Sequence, residues 1–128
     1  MNTDAIAACM RASLADTPFP EIVARLAGAG VRAYSADLVT LRTSYYDGET
    51  EAADESIPLE NAPAIADAFD SIAVEAAVRA IQAKRIGYAE FLRRIMIGGC
   101  ARYSVFLGGR KAVYIGRDGD FWTEPFAG

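Results

Sequence analysis

The chain runs to 128 residues without a single histidine. That absence excludes the serine and cysteine triads that use imidazole, zinc sites with histidine ligands, and the usual side chain that titrates near neutrality. Cysteine is almost as scarce. Cys9 and Cys100 stand far apart and in no CxxC pattern, so they announce neither a disulfide framework nor a zinc site. Both read as buried free thiols, although Arg102 lies near Cys100 in sequence and a reactive thiolate needs such an electropositive neighbour. Long apolar runs are missing too: no window approaches the roughly 20 apolar residues of a membrane span. The opening segment lacks the basic start and apolar stretch of a secretory signal, and a cytoplasmic location is the expectation. The short glycine clusters lack the following Lys and Ser or Thr of a phosphate-binding loop.

What is present has the balance of one globular domain: 52% hydrophobic and 23% charged residues. A chain of this length buries a core large enough to need neither disulfides nor metal. The net charge of −4 hides a split. Residues 1 to 64 carry 4 basic and 10 acidic side chains (net −6), whereas residues 65 to 128 carry 9 and 7 (net +2). An acidic stretch from Asp47 to Glu60 contrasts with Arg79 to Arg117, where Glu90 is the lone acid.

Shifting the chain by 69 residues lays the segment from Phe19 on the segment from Tyr88, with ungapped identities at Glu21/Glu90, Arg25/Arg94, Gly30/Gly99, Tyr34/Tyr103, Ser35/Ser104, Leu38/Leu107 and Tyr45/Tyr114. This reads as an internal duplication. Each copy reads as two helices and a β-hairpin. Ile22, Val23 and Leu26, like Phe91, Leu92, Ile95 and Met96, form an apolar stripe at helical spacing, and Gly30 and Gly99 follow as helix stops. The shift sets Ser71 on Asn2 as N-cap residues, dividing a short helix begun by Pro63 from a longer one over about 72 to 85. Alternation then predicts strands: Tyr103, Val105 and Leu107 on one face, Gly108 and Gly109 as a two-residue turn, and Ala112 to Ile115 returning. "DG" pairs at Asp47 and Asp118 mark the next turns, and a third strand is expected around Trp122 and, more weakly, in the first copy. The expected fold is α+β: one domain of two pseudo-repeats (about 2–58 and 71–126) joined by 59–70, with an antiparallel sheet and helices packed on one face.

With its helix pair, "GxxxYxxxL" motif, hairpin and "DG" turn, the chain resembles the YdfO-like proteins, a bacterial and prophage family of unknown function in which some members carry the label "phage envelope protein". The resemblance implies a small α+β fold containing a duplication. It carries over no cofactor and no catalytic residue.

Among candidate sites, Arg102 and Arg110 on adjacent strands are expected to converge as a fork for an anion, with Lys111 and Tyr46 beside them. The competing readings of this basic segment are a solvated surface, a partner for the acidic stretch, or a nucleic-acid surface, the last opposed by the net negative charge. The repeated tyrosines Tyr34/Tyr103 and Tyr45/Tyr114 read first as core residues, with matching pockets in each half as the functional alternative. Glu49, Glu51, Asp54 and Glu55 lack the spacing of a calcium loop and read as a mobile charged loop, so no metal site is expected. Glu21 and Glu90, the repeated acids, have Arg25 and Arg94 four residues on and belong on a solvated face. The sequence thus points first to a non-catalytic binding or interaction module without cofactor, meeting a protein partner or a small anionic ligand, with no membrane contact and an open oligomeric state. The rival is a small enzyme using Glu90, Tyr103 or Cys100 on an anionic metabolite.

Overall fold

The structure, a computed structural model, describes residues 1–126. Ten elements follow one another: helices α1 (Thr3–Leu14) and α2 (Phe19–Gly28), strands β1 (Ala33–Asp37), β2 (Arg42–Tyr46) and β3 (Ala52–Ser56), then α3 (Ser71–Gln82), α4 (Tyr88–Ile97), β4 (Cys100–Phe106), β5 (Lys111–Gly116) and β6 (Phe121–Pro125). The strands form one antiparallel sheet in the order β3-β2-β1-β4-β5-β6. Four helices on one face and bare sheet on the other make an α+β fold, and among the described residues no helix is long and apolar enough to cross a membrane.

At the centre β1 pairs with β4, Ser35 opposite Ser104, and their hydroxyls hydrogen-bond at 2.7 Å. Alternation then decides what faces the helices. Tyr34, Ala36, Thr43, Tyr45, Tyr103, Val105, Ala112 and Tyr114 are buried beneath them, together with Ile6, Leu26, Val74, Leu92 and Ile95 from the helices. Amphipathic helices supply that cover because their apolar stripes have nowhere else to go.

Local chemistry sets the helix ends, and it corrects the expected boundaries. Asn2 caps α1 by accepting from the Ala5 N–H, as expected, but α3 is capped by Asp70, whose carboxylate accepts from Ile72 and Ala73, and Ser71 is already helical. The caps stand 68 apart because the α3–α4 connection is one residue longer than the α1–α2 connection, so the shift of 69 holds only from Phe19 and Tyr88 onward. The helix expected from Pro63 is absent. Instead the Ala66 and Asp70 N–H groups donate to the Met96 and Gly98 carbonyls, and Arg93 donates to the Glu60 carbonyl, so this stretch serves the open C-terminal end of α4. Gly99 has φ +89°, and a Cβ there would lie 2.1 Å from the Ala68 carbonyl oxygen.

Two further expectations change. The acidic stretch is a loop only in part: Glu49 and Glu51 lie outside the strands, whereas Ala52–Ser56, with Asp54 and Glu55, pairs along β2, because an edge strand tolerates outward charge and Ser44 Oγ hydrogen-bonds Asp54 at 2.7 Å. Nor do Gly108 and Gly109 make a two-residue turn. Four residues separate β4 from β5, and Arg110 at φ 56° takes the left-handed position, as Leu41 at φ 55° does between β1 and β2.

Candidate functional site

The sheet register builds the site. Tyr34 faces Tyr45 across β1 and β2, Tyr103 faces Tyr114 across β4 and β5, and the ring pairs match closely, with centroids 5.5 Å and 5.4 Å apart and planes inclined 34° and 32°. Above the second pair lies Phe91 of α4, edge-on to both rings at 6.4 and 6.3 Å, while Trp122 flanks Tyr114 at 5.8 Å. At the places 69 residues earlier stand Ile22 and Ala53, both smaller. The helices and sheet consequently do not close completely. A cavity of about 840 Å³ lies between them, with the four tyrosines and Tyr88 on its walls and residues of both helix pairs around it.

Its polar inventory is one of donors. Tyr88 and Tyr103 hydrogen-bond through their hydroxyls at 2.5 Å. Among the described residues the hydroxyls of Tyr34, Tyr45 and Tyr114 have no protein partner; the residues are at most 7% exposed, but their hydroxyls are not closed off and open onto the cavity. Thr43 Oγ1, also on the cavity wall, is closed off from solvent and has no partner either. Burial pushes Tyr34, Tyr45, Tyr103 and Tyr114 above the ordinary phenol range, and Tyr88 rises for the same reason against the opposing pull of its bond to Tyr103. All five stay protonated near neutrality, so each can present an O–H to an acceptor.

The rim is charged. Asp16 at φ 67° and Lys84 at φ 59° occupy left-handed positions just past α1 and α3. Asp16 Oδ1 accepts the Tyr88 N–H at 2.9 Å, capping α4 from a distance, and Gly87 is small because a Cβ there would stand 2.6 Å from that oxygen. Glu124 is held by Arg79 and Gln82, and the Arg79 hydrogen bond is the main reason its pKa is lowered. Lys84 and Arg85 line the rim exposed, and among the described residues neither pairs with a carboxylate. Phe19 and Phe126 meet edge to face at 5.4 Å, with the Arg110 guanidinium 5.5 Å over the Phe126 ring.

Of the four residues expected to form the anion site, Arg102, Arg110, Lys111 and Tyr46, Arg110 alone lines this cavity. Arg102 stands opposite Ile115, five residues along β5 from Arg110, which separates their backbones by roughly 15 Å. The expected fork does not form, because hairpin register puts the two arginines at opposite ends of the strands. Arg102 instead lies beside Arg117 at a shallow depression on the edge of the molecule. Tyr46, Phe106 and Lys111 share one row of the uncovered sheet face with Ala33 between Tyr46 and Phe106. Ion pairs run from Arg79 to Glu75 and Glu124, and from Arg93 and Arg94 to Glu90, while Arg93 also donates to the backbone carbonyl of Glu60 at the end of the acidic stretch. Glu21 and Arg25 pair on the surface as expected. Cys100 is fully buried, donates to the Arg102 carbonyl, and burial pushes its thiol up to about 12, contrary to a reactive role. Among the described residues no three potential metal ligands cluster.

The repeated tyrosines are core residues and also wall residues of one shared cavity, not of a pocket in each half. Sequence reasoning missed Tyr88, Asp16, Lys84 and Arg85, which sit in or beside the inter-helix connections. Their signal was weak: the two connections differ in length, which breaks the alignment at Asp16, Lys84 and Arg85, and Tyr88 falls on Phe19, which has no hydroxyl.

No protein-family profile matches the chain. It is similar to uncharacterized proteins of Mycobacterium bovis and of two Mycobacterium tuberculosis strains, each 31% identical over 109 residues, a match spanning 85% of this chain and 66% of the relative. The matched part is thus just under two thirds of those relatives' own length.

Proposed function

We propose that this protein is a non-catalytic binding module that holds a small, largely apolar molecule between its helices and sheet. The observation that carries the reading is the set of tyrosine hydroxyls without a protein partner that open onto the cavity. A phenol hydroxyl that opens onto a cavity and has no protein partner is free to donate to an acceptor that a bound molecule brings. Three phenol donors facing one apolar space are explained by a ligand that brings acceptors, such as a carbonyl or ether oxygen, into a container of the size small molecules occupy.

The test is a thermal-shift and calorimetric comparison of compact aromatic ketones with hydrocarbons of the same shape. Ketones are expected to raise the midpoint by mass action and the hydrocarbons to do so less. The Tyr34→Phe, Tyr45→Phe, Tyr114→Phe triple variant is expected to fold and to lose the difference. If no ketone binds, or the ketone preference survives the triple variant, the reading fails.

Further parts of the reading are of the same kind. Two halves that repeat α-α-β-β-β, glycines at φ +90° and +89° in Gly30 and Gly99, and the central Ser35–Ser104 pair support an origin by duplication. Kinship with the YdfO-like proteins and a cytoplasmic location complete it. A second reading gives the uncovered sheet face, with Tyr46, Phe106, Lys111 and Arg102, to a protein partner. The exposure of Tyr46, Phe106 and Phe121 on that face favours it.

A further inference from the structure

We infer that the ligand of the helix–sheet cavity is an amphipathic carboxylate, seated with an apolar, acceptor-bearing body against the tyrosines and its carboxylate at the rim between Lys84 and Arg85. The inference rests on the binding reading above and adds the ligand's charge and orientation. Inside, the walls offer rings, aliphatic side chains and protonated hydroxyls; among the described residues the cations on the lining are Lys84, Arg85 and Arg110, all three exposed, so a charged group belongs at the opening. At the opening the two signs of charge are treated differently. Asp16 is committed to the Tyr88 N–H, and Glu124 to Arg79 and Gln82, whereas Lys84 and Arg85 project exposed from adjacent positions with no carboxylate partner among the described residues. Their positions are fixed by the backbone. After α3 the Lys84 N–H donates to the Ile81 carbonyl and the Arg85 N–H to the Ala80 carbonyl, the closing pattern of a helix that usually places glycine where Lys84 stands. A lysine held in that left-handed conformation puts its charge at the cavity edge at a conformational cost that glycine would avoid. The arginine beside it can grip a carboxylate through two N–H groups.

The experiment compares 4-benzoylbutyrate with its primary amide and with the amine of the same length, by calorimetry at low and high salt, on the wild-type chain and on the Lys84→Gln, Arg85→Gln and Lys84→Glu, Arg85→Glu double variants. Two exposed cation contacts correspond to about a tenfold preference for the acid over the amide. The inference expects that preference in the wild type, its collapse to near unity in the glutamine variant and in high salt with amide affinity unchanged, and a switch to the amine in the glutamate variant. If acid and amide bind the wild type equally, or if the acid preference survives both double variants, the carboxylate assignment is overturned while the cavity reading stands. If acid, amide and the neutral ketones all fail to bind, the cavity reading itself has failed, and this inference with it.

Discussion

Replacing Thr43 by valine is expected to stabilise the protein. Thr43 is 2% exposed, lies between Ala36 and Glu55 in the sheet register, and its Oγ1 touches neither solvent nor a hydrogen-bonding group. A buried hydroxyl without a partner costs about 1–3 kcal/mol. Exchanging it for a methyl of similar shape removes that cost and adds apolar burial worth about 0.8 kcal/mol, while the β-branch that suits a strand is kept. Allowing for an imperfect fit of the methyl, the net gain is about 2 kcal/mol. At about 2.1 cal/mol/K of unfolding entropy per residue, a chain of 128 residues shifts its midpoint by about 4 °C per kcal/mol, so a rise of about 7 °C is expected. Urea denaturation supplies the second reading: the midpoint concentration should increase with an unchanged slope. Thr43→Ser, which keeps the orphan hydroxyl and loses the methyl, should move the other way. A loss of 1 kcal/mol or more in the valine variant would refute the reasoning, because it would mean that an enclosed water satisfies Oγ1.

Two other expectations follow from groups already described. Gly87→Ala should cost about 1–2 kcal/mol by pushing the Asp16 carboxylate off the Tyr88 N–H, and Asp16→Ala should cost a similar amount. Because both act on one cap, the double variant in a denaturation cycle should lose little more than either single change, and simple addition would exclude a shared cause. At high pH the buried tyrosines set the limit of stability. Their folded-state pKa values lie above the unfolded value near 10, so the stability they contribute is complete below pH 10 and is lost as the pH climbs toward the raised values. Phenolate absorbance from these residues should therefore appear together with loss of the far-ultraviolet signal, and ionisation without unfolding would contradict their burial.

Much of the architecture was legible because it rests on period and punctuation. The stripes of α2 and α4, the alternation of Tyr34, Ala36 and Leu38, and the glycines at 30 and 99 are local signals, and local interactions enforce them. β3 was obscured because its signal is compositional: Asp54 and Glu55 suggest solvent, and an edge strand accepts them since one side of it never meets the core. The cavity was not legible. It depends on Ile22 and Ala53 being smaller than Phe91 and Trp122 at corresponding places in the two halves. Arg102 and Arg110 misled for a related reason, since neighbouring strands in a hairpin are close only at matched register, and their numbers place them at opposite ends of it.

The central pairing of β1 with β4 also governs the order in which the molecule can be completed. All of β1, β2 and β3 precede β4 in the chain, and the residues that meet at the seam, Ser35 and Ser104, are 69 apart. During synthesis the first three strands can form their own hairpins while β1 still presents an unsatisfied edge, and nothing can cover that edge until α3, α4 and β4 have emerged. For that interval the nascent chain carries an open strand at what becomes the middle of the sheet, the kind of edge that pairs with a neighbouring chain when its own partner is late.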